Sequence, residues 1–245
     1  MKAAPEAQRR LLDLSELDAG LDRLRHRRRT LPELAEIEEM SKRLAQLATQ
    51  VIAAETEAGD LSRDQTKAES DVDAVRTRAE RDQKRLDSGQ VSSPKDLASL
   101  QSEIASLHRR QSDLEEVVLE IMERREAVDA QVASLKSERD EVTATLDAAG
   151  DRRDAAFAEL DKEVAELQGK RSGIDDIPAD VLSLYEKLRE QSGTGAAMLQ
   201  GSRCLGCRTS LSIAELNRIR AAGPDEVVRC EECRRILVRT PESGL

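Results

Sequence analysis

The stretch Leu97-Ala-Ser-Leu-Gln-Ser-Glu-Ile-Ala-Ser-Leu107 repeats large apolar residues at alternating steps of three and four. This spacing places them on one face of a helix, and it continues to Leu160. One of its two rows is apolar throughout: Leu100, Leu107, Leu114, Ile121, Val128, Leu135, Val142, Ala149 and Ala156. A repeat sustained over this length predicts the seam of a coiled coil.

A second stripe precedes the first and supplies its partner. It runs from Ile37 to Leu86, with Gln65 and Asp82 as its only polar members. Turn-forming residues follow at 87–93, and Pro94 then suits the first position of a new helix. We therefore predict an antiparallel helical hairpin with its tip at residues 88–93. The long stripe also contains polar residues, and polar residues in a seam fix the register of a coiled coil. We expect its arginines to extend past the seam into solvent. The polar residues are Gln111, Arg125, Arg139 and Arg153.

An additional helix is predicted at the start of the chain, from about Pro5 to Arg29. It breaks at Thr30-Leu-Pro-Glu33, where Thr30 and Glu33 have the spacing of a capping box for the next helix. The hairpin arms have unequal predicted lengths, roughly 80 Å and 110 Å, so the first two helices together should line the third, with a kink at Pro32. That pairing predicts Arg29 near Asp154 and the N-terminus beside the C-terminal module.

The C-terminal module contains all four cysteines of the chain, in the pairs Cys204-Leu-Gly-Cys207 and Cys230-Glu-Glu-Cys233. Two such pairs, separated by 22 residues, supply the ligands of a closed tetrahedral zinc site. Disulfides and a redox pair are the alternatives, and both are disfavoured by the cytosolic character of the chain and the lack of strand–helix alternation. We expect one structural zinc ion.

Short elements are predicted around these cysteines. They are a helix from Pro178 to Arg189, a strand at Ala196–Leu199, a capped helix from Ser212 to Ala221, and paired strands at 227–228 and 236–238. The predicted fold is thus mainly α, a long coiled-coil hairpin at 1–172 followed by a small zinc-ribbon domain at 173–245.

Composition restricts the possible functions. Charged residues make up 36% of the chain, aromatic residues 1%, and the net charge is −10, which is typical of long helices with a buried seam. No apolar run reaches membrane-spanning length, and Met1-Lys-Ala-Ala-Pro leads into charged sequence, so we expect a cytoplasmic protein without a signal peptide. His26 and His108 lie among arginines, and no catalytic motif accompanies them, so we expect no enzyme activity and no small-molecule substrate.

Three segments together resemble a bacterial family with a long coiled-coil hairpin and a C-terminal four-cysteine zinc ribbon. They are Ser93-Pro-Lys-Asp-Leu-Ala-Ser-Leu-Gln-Ser-Glu-Ile104, Ile177-Pro178 with Leu184-Tyr-Glu-Lys-Leu-Arg189, and the cysteine pairs with Val228-Arg229 and Arg234-Arg-Ile-Leu237. The resemblance implies zinc ligation by all four cysteines. It also implies similarity to flagellar and type III secretion adaptors, which bind an alternative sigma factor and regulators of the secretion ATPase, and in at least one case RNA. The family usually has glycine where Arg234 stands.

Arginine is concentrated in two places. Residues 201–240 contain eight arginines and five acids, and Arg23-Leu-Arg-His-Arg-Arg-Arg29 contains five arginines in seven residues. Clustered cations suit a phosphate backbone, although a solvated helix face balanced by nearby aspartates is the alternative. Our leading hypothesis is a non-catalytic adaptor that binds a protein partner, and nucleic-acid binding is the second. The candidate binding residues are Arg23, Arg25, Arg27, Arg28, Arg29, Arg203, Arg208, Arg218, Arg220, Arg234 and Arg235.

Overall fold

The computed structural model describes residues 1–245, which form five α-helices and one four-stranded sheet. The helices are α1 (Pro5–Arg29), α2 (Pro32–Asp87), α3 (Pro94–Ser172), α4 (Ala179–Ser192) and α5 (Ile213–Ala221). The strands are β1 (Ala196–Gln200), β2 (Arg203–Cys204), β3 (Val228–Arg229) and β4 (Ile236–Arg239), and a short 3-10 helix follows at Pro241–Ser243. No helix is both long and apolar enough to cross a membrane.

The chain divides into two compact units. One contains residues 1–34 and 151–245, and the other contains residues 35–150. The division falls near the start of α2, after Leu34, and within α3, after Gly150. The whole of α1 and the last part of α3 therefore belong to the same unit as the ribbon. The predicted boundary at 172/173 instead follows the end of a helix, which the structure places at Ser172.

The unit of residues 35–150 is a helical hairpin and forms the central part of the one predicted over residues 1–172. Its seam buries apolar residues of both arms: Leu47, Val51, Ala54, Leu61, Ala68, Val72 and Ala79 on α2, and Leu100, Ile104, Val128 and Ala149 on α3. Ion pairs flank the seam, among them Lys136 Nζ to Glu55 at 2.7 Å. The polar seam residues also meet, since Arg125 donates to the Gln65 side chain at 3.1 Å. Arg125, Arg139 and Arg153 have partly exposed side chains, as predicted.

The unit that contains the ribbon has two cores, one on each face of its sheet. The first core joins α1, α4 and the sheet: Ala3, Ala7, Leu11, Leu14, Ile177, Val181, Tyr185, Leu188, Ala196, Ile236 and Val238. The second core contains Ala197, Leu199, Leu211, Ile219, Leu237 and the cysteines. The alternation of β4 explains this arrangement, because Ile236 and Val238 point to the helices while Leu237 points to the cysteines.

The sheet has the strand order β2-β1-β4-β3. β1 and β4 pair in parallel at its centre, and β2 and β3 pair antiparallel at its edges. The N-terminus is hydrogen-bonded to the segment that precedes β3. The Ala3 amide donates to the Asp225 carbonyl, and the Val227 amide donates to the Met1 carbonyl. The expectation that the N-terminus lies beside the C-terminal module is confirmed.

Two local predictions were wrong. Thr30 does not cap α2, because its hydroxyl donates to the His26 carbonyl and so closes α1. The register of α1 on α3 also differs from the predicted contact between Arg29 and Asp154. Arg28 pairs with Asp161 and stacks on Phe157, 4.3 Å from its ring centre. The predicted pairing places residue 155 opposite Arg28, so these contacts lie two to six residues further along α3 than predicted.

Candidate metal centre and the surface around it

The four cysteines converge at one point. The Sγ atoms of Cys204 and Cys233 are 3.8 Å apart, those of Cys207 and Cys230 are 3.9 Å apart, and all four lie within 4.8 Å of one another. A zinc ion with bonds of about 2.3 Å to four sulfurs requires sulfurs about 3.8 Å apart at the corners of a tetrahedron. The donor set therefore fits one zinc ion.

The environment raises the pKa of two of the thiols and lowers that of a third. Burial raises the pKa of Cys204, and it raises the pKa of Cys230 to about 12. Burial also acts to raise the pKa of Cys207, but hydrogen bonds from the backbone and side chain of Thr209 outweigh it and bring that pKa to about 7. Zinc binding must deprotonate the buried thiols, so affinity should fall as the pH is lowered.

Each cysteine pair lies in the same kind of backbone turn. The Arg208 amide donates to the Cys204 carbonyl at 2.7 Å, and the Arg234 amide donates to the Cys230 carbonyl at 3.0 Å. Gly206 makes the first turn possible, since a Cβ there would lie 2.8 Å from both the Ala197 Cβ and the Arg235 Cδ. The two turns end alike, because Arg208 and Arg234 have φ values of 61° and 62°.

Helix α5 is tied to the second cysteine pair. Ser212 caps the helix as predicted, accepting from the Glu215 amide at 3.1 Å. Glu215 does not complete a capping box with Ser212, because its buried carboxylate accepts from the Glu231 amide at 2.9 Å. This contact joins the insert between the pairs to the metal centre.

Comparison with known proteins identifies this architecture. A family model described as the CT398-like coiled coil hairpin domain matches residues 14–193, and a C4-type zinc ribbon domain matches residues 203–237. The chain belongs to the CT398-like coiled-coil hairpin family. The hairpin match covers well over half of the chain, and the zinc ribbon match contains all four cysteines.

Relatives of this family extend over nearly the whole chain. Uncharacterised proteins of two Mycobacterium tuberculosis strains are 40% identical over 247 residues, which cover 98% of each chain. A solved structure from Mycobacterium smegmatis is 38% identical with a TM-score of 0.85, covering 98% of this chain and 100% of its own. The structure of CT398 from Chlamydia trachomatis has a TM-score of 0.73 at 18% identity, covering 96% and 98% of the two chains, and it shows the shared fold.

The structure separates the candidate arginines of α1 into two groups. Arg25 pairs with Asp22 within α1, whereas Arg27 and Arg28 pair with Glu163 and Asp161 of α3. Arg23 and Arg29 are exposed and have no ion pair. Arg23 and His26 line an open groove of about 580 Å³ together with Arg235 and Gly206 of the ribbon. One arginine of each predicted cluster therefore lines this groove, together with Asp22.

The arginines of the ribbon also differ in their roles. Arg218 pairs with Glu231, and Arg220 contacts Asn217. Arg235 is partly buried and donates to the Ser192 carbonyl and to Thr194. Arg203, Arg208 and Arg234 are exposed and have no side-chain partner. These last three are the free cations around the metal centre.

Sequence reasoning missed a buried charge cluster at the base of the ribbon. Asp18 is completely buried, and it accepts from Arg171 Nε at 2.7 Å and from the Tyr185 hydroxyl at 2.8 Å. Arg189 Nε lies 3.2 Å from the same carboxylate. Asp18 is one of the aspartates near the arginines of α1, which the sequence alone places on a solvated helix face. The available signal was the position of Asp18 on the Leu14–Leu21 face of α1.

Proposed function

We propose that the protein is a non-catalytic adaptor that binds a protein partner through the exposed arginines of its zinc ribbon. The observation that carries the proposal is the conformation of Arg208 and Arg234, which we call the knuckle arginines. Both follow a cysteine pair, both are exposed, and neither side chain has a partner. Neither side chain makes a contact within the fold that would explain why arginine occupies these two positions.

Both knuckle arginines have a left-handed φ, so the presence of arginine without a side-chain partner at these positions needs an explanation. A left-handed φ costs an L-residue about 1–2 kcal/mol, whereas glycine adopts it freely. Glycine at 208 and 234 would therefore suit the fold better than arginine. Strain retained in exposed residues beside a metal centre supports a binding role for their side chains.

The surrounding surface suits a protein with acidic and apolar groups. Leu205, inside the first cysteine pair, is 39% exposed, and Ile213 at the start of α5 is 79% exposed. Four thiolates leave zinc no open position for a substrate, so the metal acts as a structural ion. Cysteine ligands that must stay reduced favour the cytoplasm. The family resemblance supports a role in transcription or secretion-related regulation.

Glycine substitution provides a sharp test, because it relieves strain and should preserve the fold. The zinc-loaded full chain and its double variant Arg208→Gly/Arg234→Gly are each used as bait in separate pull-down experiments. The matched control, Arg109→Ala/Arg110→Ala, removes the same charge from exposed positions of the rod. We expect the glycine variant to lose partners that wild type and control retain. Identical partner sets for all three proteins would refute the proposal.

Nucleic-acid binding is the second candidate, and the groove between α1 and the ribbon favours it. Arg23 from one arginine cluster and Arg235 from the other line the same open groove, beside the first cysteine pair. A phosphate chain could contact both clusters there, and its binding would weaken with salt.

Labelled single-stranded RNA and duplex DNA, titrated at two salt concentrations, test this candidate. Arg23→Ala should lower the salt dependence by about one ion per site, and Arg109→Ala on the rod should leave it unchanged. The absence of any binding at low salt would eliminate nucleic acid as the partner.

A further inference from the structure

The middle of the rod has an apolar groove between α2 and α3. It has a volume of about 290 Å³ and is lined by Val72, Val118 and Leu119, with Glu69, Asp73 and Glu115 at its edges. Leu119 is 59% exposed, which is unusual for leucine on an otherwise charged rod. The groove lies within the unit of residues 35–150, far in sequence from the cysteines.

The exposed apolar surface continues along α3. Met122, three residues after Leu119 and four after Val118, is on the same side of the helix and is 45% exposed. Val118 already contributes to the seam, so Leu119 and Met122 extend the apolar surface outward. We call the surface formed by Val72, Val118, Leu119 and Met122 the mid-rod patch.

Acids surround the mid-rod patch. Residues 68–75 of α2 include three acids and residues 115–123 of α3 include four, and neither segment contains a base. Glu115, Glu116 and Glu123 are spaced four before, three before and four after Leu119, so they share its side of the helix. Asp73 is paired with Arg76, but Glu69 and Glu115 form no ion pair and accept only from glutamines. These free carboxylates give the patch a negative rim.

We infer that the mid-rod patch docks a cationic amphipathic helix of a partner protein. An apolar groove between two helices is shaped to receive the apolar stripe of a third helix, with anchors at three- and four-residue steps. Lysines or arginines beside that stripe would meet the glutamate rim. Two copies of this chain joined patch to patch would place like charges opposite each other, which disfavours self-association. The inference concerns a different surface from the ribbon and does not depend on the function proposed for it.

A defined peptide tests the inference. The probe is a fluorescein-labelled 14-residue helix with leucine on one stripe and lysine elsewhere, titrated with the zinc-loaded full chain at physiological salt. We expect saturable 1:1 binding and no binding of the same peptide with glutamate in place of lysine. Failure to saturate, or equal binding of the glutamate peptide, would overturn the inference.

Matched variants locate the binding site. Leu119→Ser/Met122→Ser should weaken binding about tenfold or more, because two apolar anchors lose their contact surface. Ile52→Ser removes an equally exposed apolar residue of the rod outside the patch and should change affinity less than about twofold. Glu115→Lys should weaken binding more than Glu57→Lys, an exposed acid elsewhere on the rod. Equal effects of patch and control variants would refute the assignment.

Sedimentation of the chain without peptide tests the alternative that a second copy of the chain occupies the mid-rod patch. We expect wild type and Leu119→Ser/Met122→Ser to show the same mass at every concentration. Concentration-dependent association of wild type that the double variant abolishes would identify a second copy as the occupant and overturn the inference.

Discussion

Replacing Asp18 by asparagine should destabilise the unit that contains the ribbon by about 3 kcal/mol. The carboxylate is completely buried and lies against Arg171, Arg189 and the Tyr185 hydroxyl, so it joins α1, α3 and α4. Removing one partner of a buried ion pair costs about 3–5 kcal/mol, because the remaining charges lose their compensation. We take the lower end, since both arginine side chains retain some exposure and Arg171 keeps its contact with Glu186.

Tyr185 provides the assay for this variant. It is the only tyrosine, the chain lacks tryptophan, and its ring is completely buried in the first core of the ribbon unit. Thermal unfolding followed by tyrosine fluorescence therefore reports on this unit. For a domain of this size, 3 kcal/mol corresponds to a fall in Tm of about 10 °C.

The matched control is Asp13→Asn, on the same helix. Asp13 is exposed, and its pair with Arg10 should contribute less than about 1 kcal/mol. A melting temperature for Asp18→Asn within about 2 °C of the control would refute the idea that the buried cluster fixes α1 to the ribbon.

Three further predictions concern the same unit. Gly195→Ala should destabilise it by about 3 kcal/mol or more in denaturant unfolding, because the new Cβ would lie 2.3 Å from the Tyr185 carbonyl oxygen. Gly169→Ala, where nothing lies within 4 Å, should be neutral or stabilising, and similar costs at both positions would contradict the packing argument. Burial, reinforced by the hydrogen bond to Asp18, holds the pKa of Tyr185 far above its ordinary value. The unfolded chain therefore ionises first, and stability should fall as the pH rises above about 10, with no change in absorbance at 295 nm until unfolding. Lowering the pH should release zinc, because protons compete for the buried thiols, while the circular dichroism of the cysteine-free hairpin is largely retained. Zinc that stays bound after the thiols are protonated would argue against thiolate ligation.

The sequence was sufficient to predict the α-helices and three of the four strands, because their signals are local, but it did not predict β2 or the 3-10 helix. The stripes and turn residues located α1, the hairpin tip and the start of α3, and the cysteine spacing located the metal centre. α3 continues through Gly169 to Ser172, where the predicted domain boundary lies. A single glycine interrupts a helix less than its presence in sequence suggests.

Tertiary contacts were harder to predict. Arg28 pairs with Asp161, although many acids along α3 offered comparable partners. Asp18 resembled a solvated aspartate, and only its place on the apolar face of α1 indicated burial. The left-handed backbone of Arg208 could not be predicted, because arginine does not indicate this conformation. At position 234 the family usually has glycine, which does indicate it.

The coordination of zinc in the purified full chain tests the central claim that the metal is a closed structural ion. X-ray absorption at the zinc edge measures this directly. We predict one zinc ion per chain with four sulfurs at about 2.3 Å and no lighter ligand. A nitrogen or oxygen ligand at about 2.0 Å replacing one sulfur would show that four thiolates do not close the site, and would contradict this claim.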